Sequence, residues 1–152
     1  MPMPWTYRQA SREWRAFLDD VREWTGLETD NLAYTAIQGV LLTFRRRLTP
    51  VQALSVADVL PTVPRAIFVQ GWNIEAPPLP FGSRTDWQAE VRALRPDHNL
   101  TPDTAVAGTA RALWRQVNHR DLTRVLDRLG PEAWAFWSVP GASAEDLAAR
   151  IV

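Results

Sequence analysis

The punctuation of its helices constrains this chain more than any other feature. Apolar residues recur at helical spacing in segment after segment, and Ser, Thr or Asn opens most segments while Pro or Gly closes them. From Ser11 to Trp24, residues Trp14, Phe17, Leu18, Val21 and Trp24 follow the i, i+3, i+4, i+7 pattern of one buried face. Ser11 is the expected N-cap, and Gly26 the expected left-handed C-cap. Arg15 and Asp19 lie four apart on the outer face and can pair. A second helix is predicted over Asp30 to Leu48, with Ala33, Ile37, Val40, Leu41, Phe44 and Leu48 inward. Thr49, Pro50 and Gln52 then form a capping box with proline at the first helical position. The helix they open carries Val51, Leu54, Val56, Val59 and Leu60 and stops near Pro61. A short helix from Pro64 to Gln70 is closed by Gly71.

Residues 73–84 read NIEAPPLPFGSR, a stiff, extended connection set by Pro77 and Pro78. The pattern then restarts. Thr85 with Gln88 predicts a capping box for a helix bearing Trp87, Val91 and Leu94, stopped by Pro96. Thr101 and Pro102 are expected to open the next helix, which runs to Val117. Asn118 caps one with Leu122, Val125, Leu126 and Leu129, and Pro131 opens one with Trp134, Phe136 and Trp137. Ser143 is expected to cap a terminal helix with Leu147 and Ile151.

This restart is an internal repeat. At a shift of 69, Thr35 falls on Thr104, Ala36 on Ala105, Gly39 on Gly108, Arg46 on Arg115, Val56 on Val125 and Leu60 on Leu129. In the first helix the shift is 73, placing Trp14 on Trp87 and Leu18 on Val91. The difference is about one helical turn, so losing it preserves the buried face. The expectation is an all-α fold of two tandem pseudo-symmetric helical repeats in one compact domain. Residues 1–72 form the first repeat with an N-terminal arm, 73–84 the Pro-rich connection, and 85–152 the second repeat with its C-terminal helix.

The stretch RRRLTPVQALSVADVLPTVPRAIFVQGW resembles the first half of the bacterial domain of unknown function 2267. There a long helix ends in a capped turn, followed by "LP", an apolar segment and a closing "GW". ALWRQVNHRDLTRVLDRLGPEAWAFW is similar to that family's second half. The resemblance spans about residues 12–138 and implies two repeated helical halves with no established activity.

Composition narrows function by exclusion. Seventeen basic residues balance seventeen acidic ones, and a neutral total argues against nucleic acid as a partner. Every basic residue is arginine, which leaves no Lys for a Schiff base or phosphate loop. The absence of Cys excludes disulfides, thiol catalysis and thiolate metal sites. No apolar stretch approaches the ~20 residues of a membrane span, and the N-terminus lacks a secretory pattern. A bacterial, cytoplasmic protein is expected, with no membrane partner.

No motif carries chemistry. His98, beside Asp97, supplies too few ligands for a metal site, and His119 is expected at the solvent. No nucleophile elbow or Gly-rich phosphate loop occurs, so neither catalysis nor a cofactor is expected. Arg45, Arg46 and Arg47 read as a solvated helix end that complements the helix dipole. The eight tryptophans stand out more. Trp14 and Trp87 fit the core, and Trp134 and Trp137 cover the second half. Trp5, Trp24 and Trp72 fit no periodic face and make the candidate partner surface. The resulting expectation is a non-enzymatic module that binds a protein partner or itself. The alternative is a small-molecule binder using an aromatic-lined cleft between the repeats.

Overall fold

A computed structural model describes residues 3–94 and 101–150. Among the described residues the regular structure is all helix. The helices are α1 (Trp5–Arg8), α2 (Ala10–Thr25), α3 (Asp30–Arg45), α4 (Pro50–Ala57), α5 (Thr62–Val69), α6 (Arg84–Ala93), α7 (Ala105–Gln116), α8 (His119–Leu129) and α9 (Pro131–Trp137). Helices α3 and α7 are buried on most sides, from Ala33 to Arg45 and from Ala105 to Trp114. A helix so enclosed is a core element, and the amphipathic helices pack around this pair. α2 lies along α7, and α6 lies along α3, so each half lends its first helix to the second helix of the other. One continuous core results, from Phe17 in α2 to Trp137 in α9.

The crossings are close because glycine sits at them. A Cβ on Gly39 would stand 2.9 Å from Val91 Cγ1, and one on Gly108 would stand 2.8 Å from Thr25 Cγ2. Glycine within a helix costs about 1 kcal/mol relative to alanine, and here the facing helix fills the space. Ion pairs span the same two crossings. Arg46 bonds Glu90 at 2.7 Å, and Arg47 bonds the same carboxylate. Arg115 reaches Asp20 at 3.2 Å and Arg111 reaches Glu23 at 3.3 Å.

An aromatic cluster joins α3, α6 and α9. The Phe136 ring lies 4.9 Å from Phe44 and 4.7 Å from Trp87, and Trp137 meets Phe44 edge-on at 5.2 Å. Such offset and edge contacts follow from the ring quadrupoles. Buried indole N–H groups find carbonyls: Trp87 donates to Phe81 O at 2.6 Å and Trp114 to Trp137 O at 2.8 Å. Trp14 is half-buried, stacked on Phe17 and edge-on to Tyr34.

Several caps stand where expected. Thr49 and Gln52 form the capping box, Asn118 accepts from Asp121 N–H, Pro131 opens α9, and Gly26 closes α2 at φ 76°. Others move. α2 begins at Ala10 after Gln9, not at a Ser11 cap, and the N-terminal arm carries the one-turn α1. Ser83 and Asp86 form the box that opens α6, in place of Thr85 and Gln88. Gln88 instead donates to Asp103 O at 2.8 Å. α7 starts at Ala105, with Thr101 and Pro102 ahead of it outside the helix. Ser143 and Asp146 exchange capping-type bonds, yet residues 138–150 form turns and no helix. Ile151 lies outside the described residues. Val51 and Leu54, expected inward on α4, are 76% and 56% exposed. No helix among the described residues is long and apolar enough to cross a membrane.

Candidate functional site

The expected solvated run Arg45–Arg47 is mostly buried, which reverses the reading of these residues. Consecutive side chains on a helix leave about 100° apart, so each guanidinium meets a different neighbour. Arg46 is half-exposed over Glu90. Arg47 is 8% exposed and donates to Thr43 O at 2.7 Å, to Phe81 O at 2.8 Å and to Glu90. Arg45 is also 8% exposed, and its Nη1 donates to Phe68 O and Gln70 O, both at 2.9 Å. It thereby satisfies carbonyls left open at the end of α5.

The connection closes over this corner. Gly71 turns the chain away from α5 with φ 63°, a left-handed conformation that glycine adopts freely. Leu79 N–H then bonds Arg46 O at 2.9 Å, and Phe44 meets the Phe81 ring edge-on at 6.2 Å. Between these anchors the chain arches outward. Beneath the arch lies an open pocket of about 380 Å³, lined by Arg45, Arg46, Leu48, Trp72, Pro77 and Leu79 among others. The Arg45 guanidinium carbon lies 5.6 Å from the Trp72 ring centre. None of the lining residues is acidic. Burial first, and the charge of Arg46 second, push Arg45 below the ordinary arginine range.

A second cluster is saturated by comparison. Asp20, 2% exposed, takes Arg150 at 2.7 Å on both oxygens and Arg115 at 3.2 Å. Arg111 donates to the Asp20 carbonyl at 3.3 Å. Burial pushes the Asp20 carboxyl up, against the pull of Arg115, Arg150 and Arg111. This network ties the C-terminal segment to α2 and α7, and every charge in it has an opposite partner.

The three candidate tryptophans are placed apart. Trp5 opens α1 and is 67% exposed, beside Tyr7 at 50%. Trp24 is half-buried at the end of α2, 5.2 Å from the Arg111 guanidinium and close to Gly108. The sixteen residues of α2, about 24 Å of helix, separate the N-terminal arm from Trp24. Trp72 alone walls the pocket. That pocket lies under the connection, whereas the expected cleft lay between two facing repeats. His119 is half-buried, with Nε2 2.7 Å from Trp114 O and its ring edge-on to that indole. The expectation of a solvent-facing His119 is thus corrected, and His98 lies outside the described residues. Among the described residues no group of three or more His, Cys, Asp or Glu could hold a metal ion.

The buried arginines had a usable signal. Arg45 continues the i, i+4 row Ile37–Leu41, and Arg47 follows the inward Phe44 by three. Helix phase therefore placed both on the buried face, against the prior that charge stays outside. No curated protein shows significant similarity to the chain. The family described as "Uncharacterized conserved protein (DUF2267)" matches residues 14–135, a span that holds both halves of the core and the whole pocket. The chain belongs to this family.

Proposed function

We propose that this protein is a non-catalytic binding module and that its recognition site is the pocket beneath the connection. The observation that carries this reading is the pocket wall: Trp72, Leu48, Pro77 and Leu79 surround a few convergent polar groups in about 380 Å³. That size and that mixture are typical of small-molecule sites. The partner-surface reading has its own support in the exposed Trp5, Tyr7 and Met3 of the N-terminal arm. It would use a different face and leave the pocket free.

The same reading treats the two halves as diverged copies of one helical unit in a bacterial cytoplasmic protein. Their reciprocal packing supports it. So does one pair of hydrogen bonds: Arg45 donates to Phe68 O, and Trp114 donates to Trp137 O. Donors and acceptors both stand 69 residues apart, the shift of the internal repeat.

Saturation-transfer NMR with a fragment library of neutral, acidic and basic aromatics tests the site. Ala76→Trp fills the pocket from its exposed rim. Fragments that bind the natural chain and are lost with Ala76→Trp support the proposal. A library without hits, or hits indifferent to Ala76→Trp, overturns it.

A further inference from the structure

We propose that the pocket binds a small organic anion, with its carboxylate or phosphate on Arg45 and Arg46 and its flat or apolar body against Trp72. The inference rests on the reading of this pocket as the recognition site and adds the chemistry of the occupant.

Charge balance is the first ground. Arg45, Arg47 and Arg111 are the buried arginines among the described residues. Arg47 has Glu90 and Arg111 has Glu23. Arg45 has no carboxylate partner among the described residues, and its neighbours Arg46 and Arg47 already share Glu90. A buried charge without a counter-charge is costly, so such groups are paired or bound in nearly all folded proteins. Arg65 and Arg84 also cap carbonyls without an acid, and Arg84 has a buried nitrogen without a partner, but both are less enclosed than Arg45 and neither lines this pocket.

Donor inventory is the second ground. Nη1 of Arg45 commits both protons to Phe68 O and Gln70 O. Nε is buried with no partner, and Nη2 donates to no group among the described residues. Nε–H and Nη2–H form one edge of the guanidinium, the fork that receives a carboxylate or phosphate through two parallel bonds. Arg45 and Trp72 line the pocket together, with the guanidinium carbon 5.6 Å from the indole centre.

A single cap at the end of α5 would not by itself call for a charge at residue 45. In the second half the corresponding bond, to Trp137 O, is made by the uncharged indole of Trp114. The first of the α5 carbonyls, Phe68 O, can therefore be closed without a cation, whereas Arg45 also holds a second, Gln70 O. The acid-free pocket that Arg45 lines is where an anion would reach its charge.

Heteronuclear NMR of the intact chain decides the matter, following the Trp72 indole N–H and Arg45 Nε–H. Benzoate and phenyl phosphate serve as anionic probes, benzamide as the neutral isostere of benzoate, and inorganic phosphate as a head group without a body. Both anionic probes should shift both signals, and benzamide should bind at least tenfold more weakly. The stronger of benzoate and phenyl phosphate identifies the head group. Arg45→Gln keeps a neutral donor for the α5 carbonyls and should weaken benzoate at least tenfold while leaving benzamide unchanged. Asn73→Asp leaves Arg45 in place, retains the acceptor for Glu75 N–H and adds a carboxylate to the wall, with the same expected result. Benzamide binding as tightly as benzoate, or benzoate indifferent to Asn73→Asp, refutes the anion and leaves the pocket standing. If no probe moves the Trp72 signal, the pocket reading falls with it.

Discussion

Replacing Gly39 by alanine tests the close crossing of α3 and α6 from both sides. The new Cβ would lie 2.9 Å from Val91 Cγ1 and 3.4 Å from Val91 O. The first distance is shorter than real contacts allow, and valine is stiff at χ1, so α6 must move. Overpacking of this kind costs about 1–3 kcal/mol. Helix propensity returns about 1 kcal/mol, which leaves a net loss near 1 kcal/mol. With an unfolding entropy of about 2.1 cal/mol/K per residue, that lowers Tm by about 3 °C in a chain of 152 residues. Val91→Ala alone opens a cavity at a site 3% exposed and should cost about 2 kcal/mol. In the double variant the added methyl meets no Cγ, the propensity gain survives, and the loss should be about 1 kcal/mol. The coupling is then about 2 kcal/mol of rescue, readable by urea denaturation with thermal melts as a check. Additivity of the two substitutions within about 0.5 kcal/mol would refute the crossing as described.

Asp20→Ala removes the carboxylate that holds Arg150 and Arg115 and should destabilise by about 3–5 kcal/mol; a loss below about 1 kcal/mol in chemical denaturation would contradict its role. Phe44→Ala empties the centre of the ring cluster at a fully buried site and should cost about 3–5 kcal/mol, checked by the same denaturation series. Asp30 is held down to about 2 by hydrogen bonds from Arg15, below its usual 3.8. Its stabilising contribution is thus present above pH 3.8 and is lost as pH falls through about 2. The Tm advantage of the natural chain over Asp30→Asn should shrink across that window, and a constant difference would contradict the pairing.

Sequence alone determined the helical class, most helix positions and much of the core, because these follow from local periodicity and cap chemistry. The Thr49–Gln52 box, the Asn118 cap and the Gly26 terminus each involve residues within a few positions of one another. Gly39 and Gly108 matched each other at the repeat shift, and both sit where a facing helix fills the space a side chain would take. The cap of α6 was misplaced by two residues: the box expected at Thr85 and Gln88 is formed by Ser83 and Asp86. Tertiary structure alone decided where each arginine ended. Arg45, Arg46 and Arg47 are the same residue type on one helix end, yet their partners come from α5, α6 and the connection. The pocket has the same origin, since Gly71, Trp72 and Leu79 enclose it only because Leu79 N–H returns to Arg46 O. A charge is exposed or buried according to what packs over it, and that depends on segments distant along the chain.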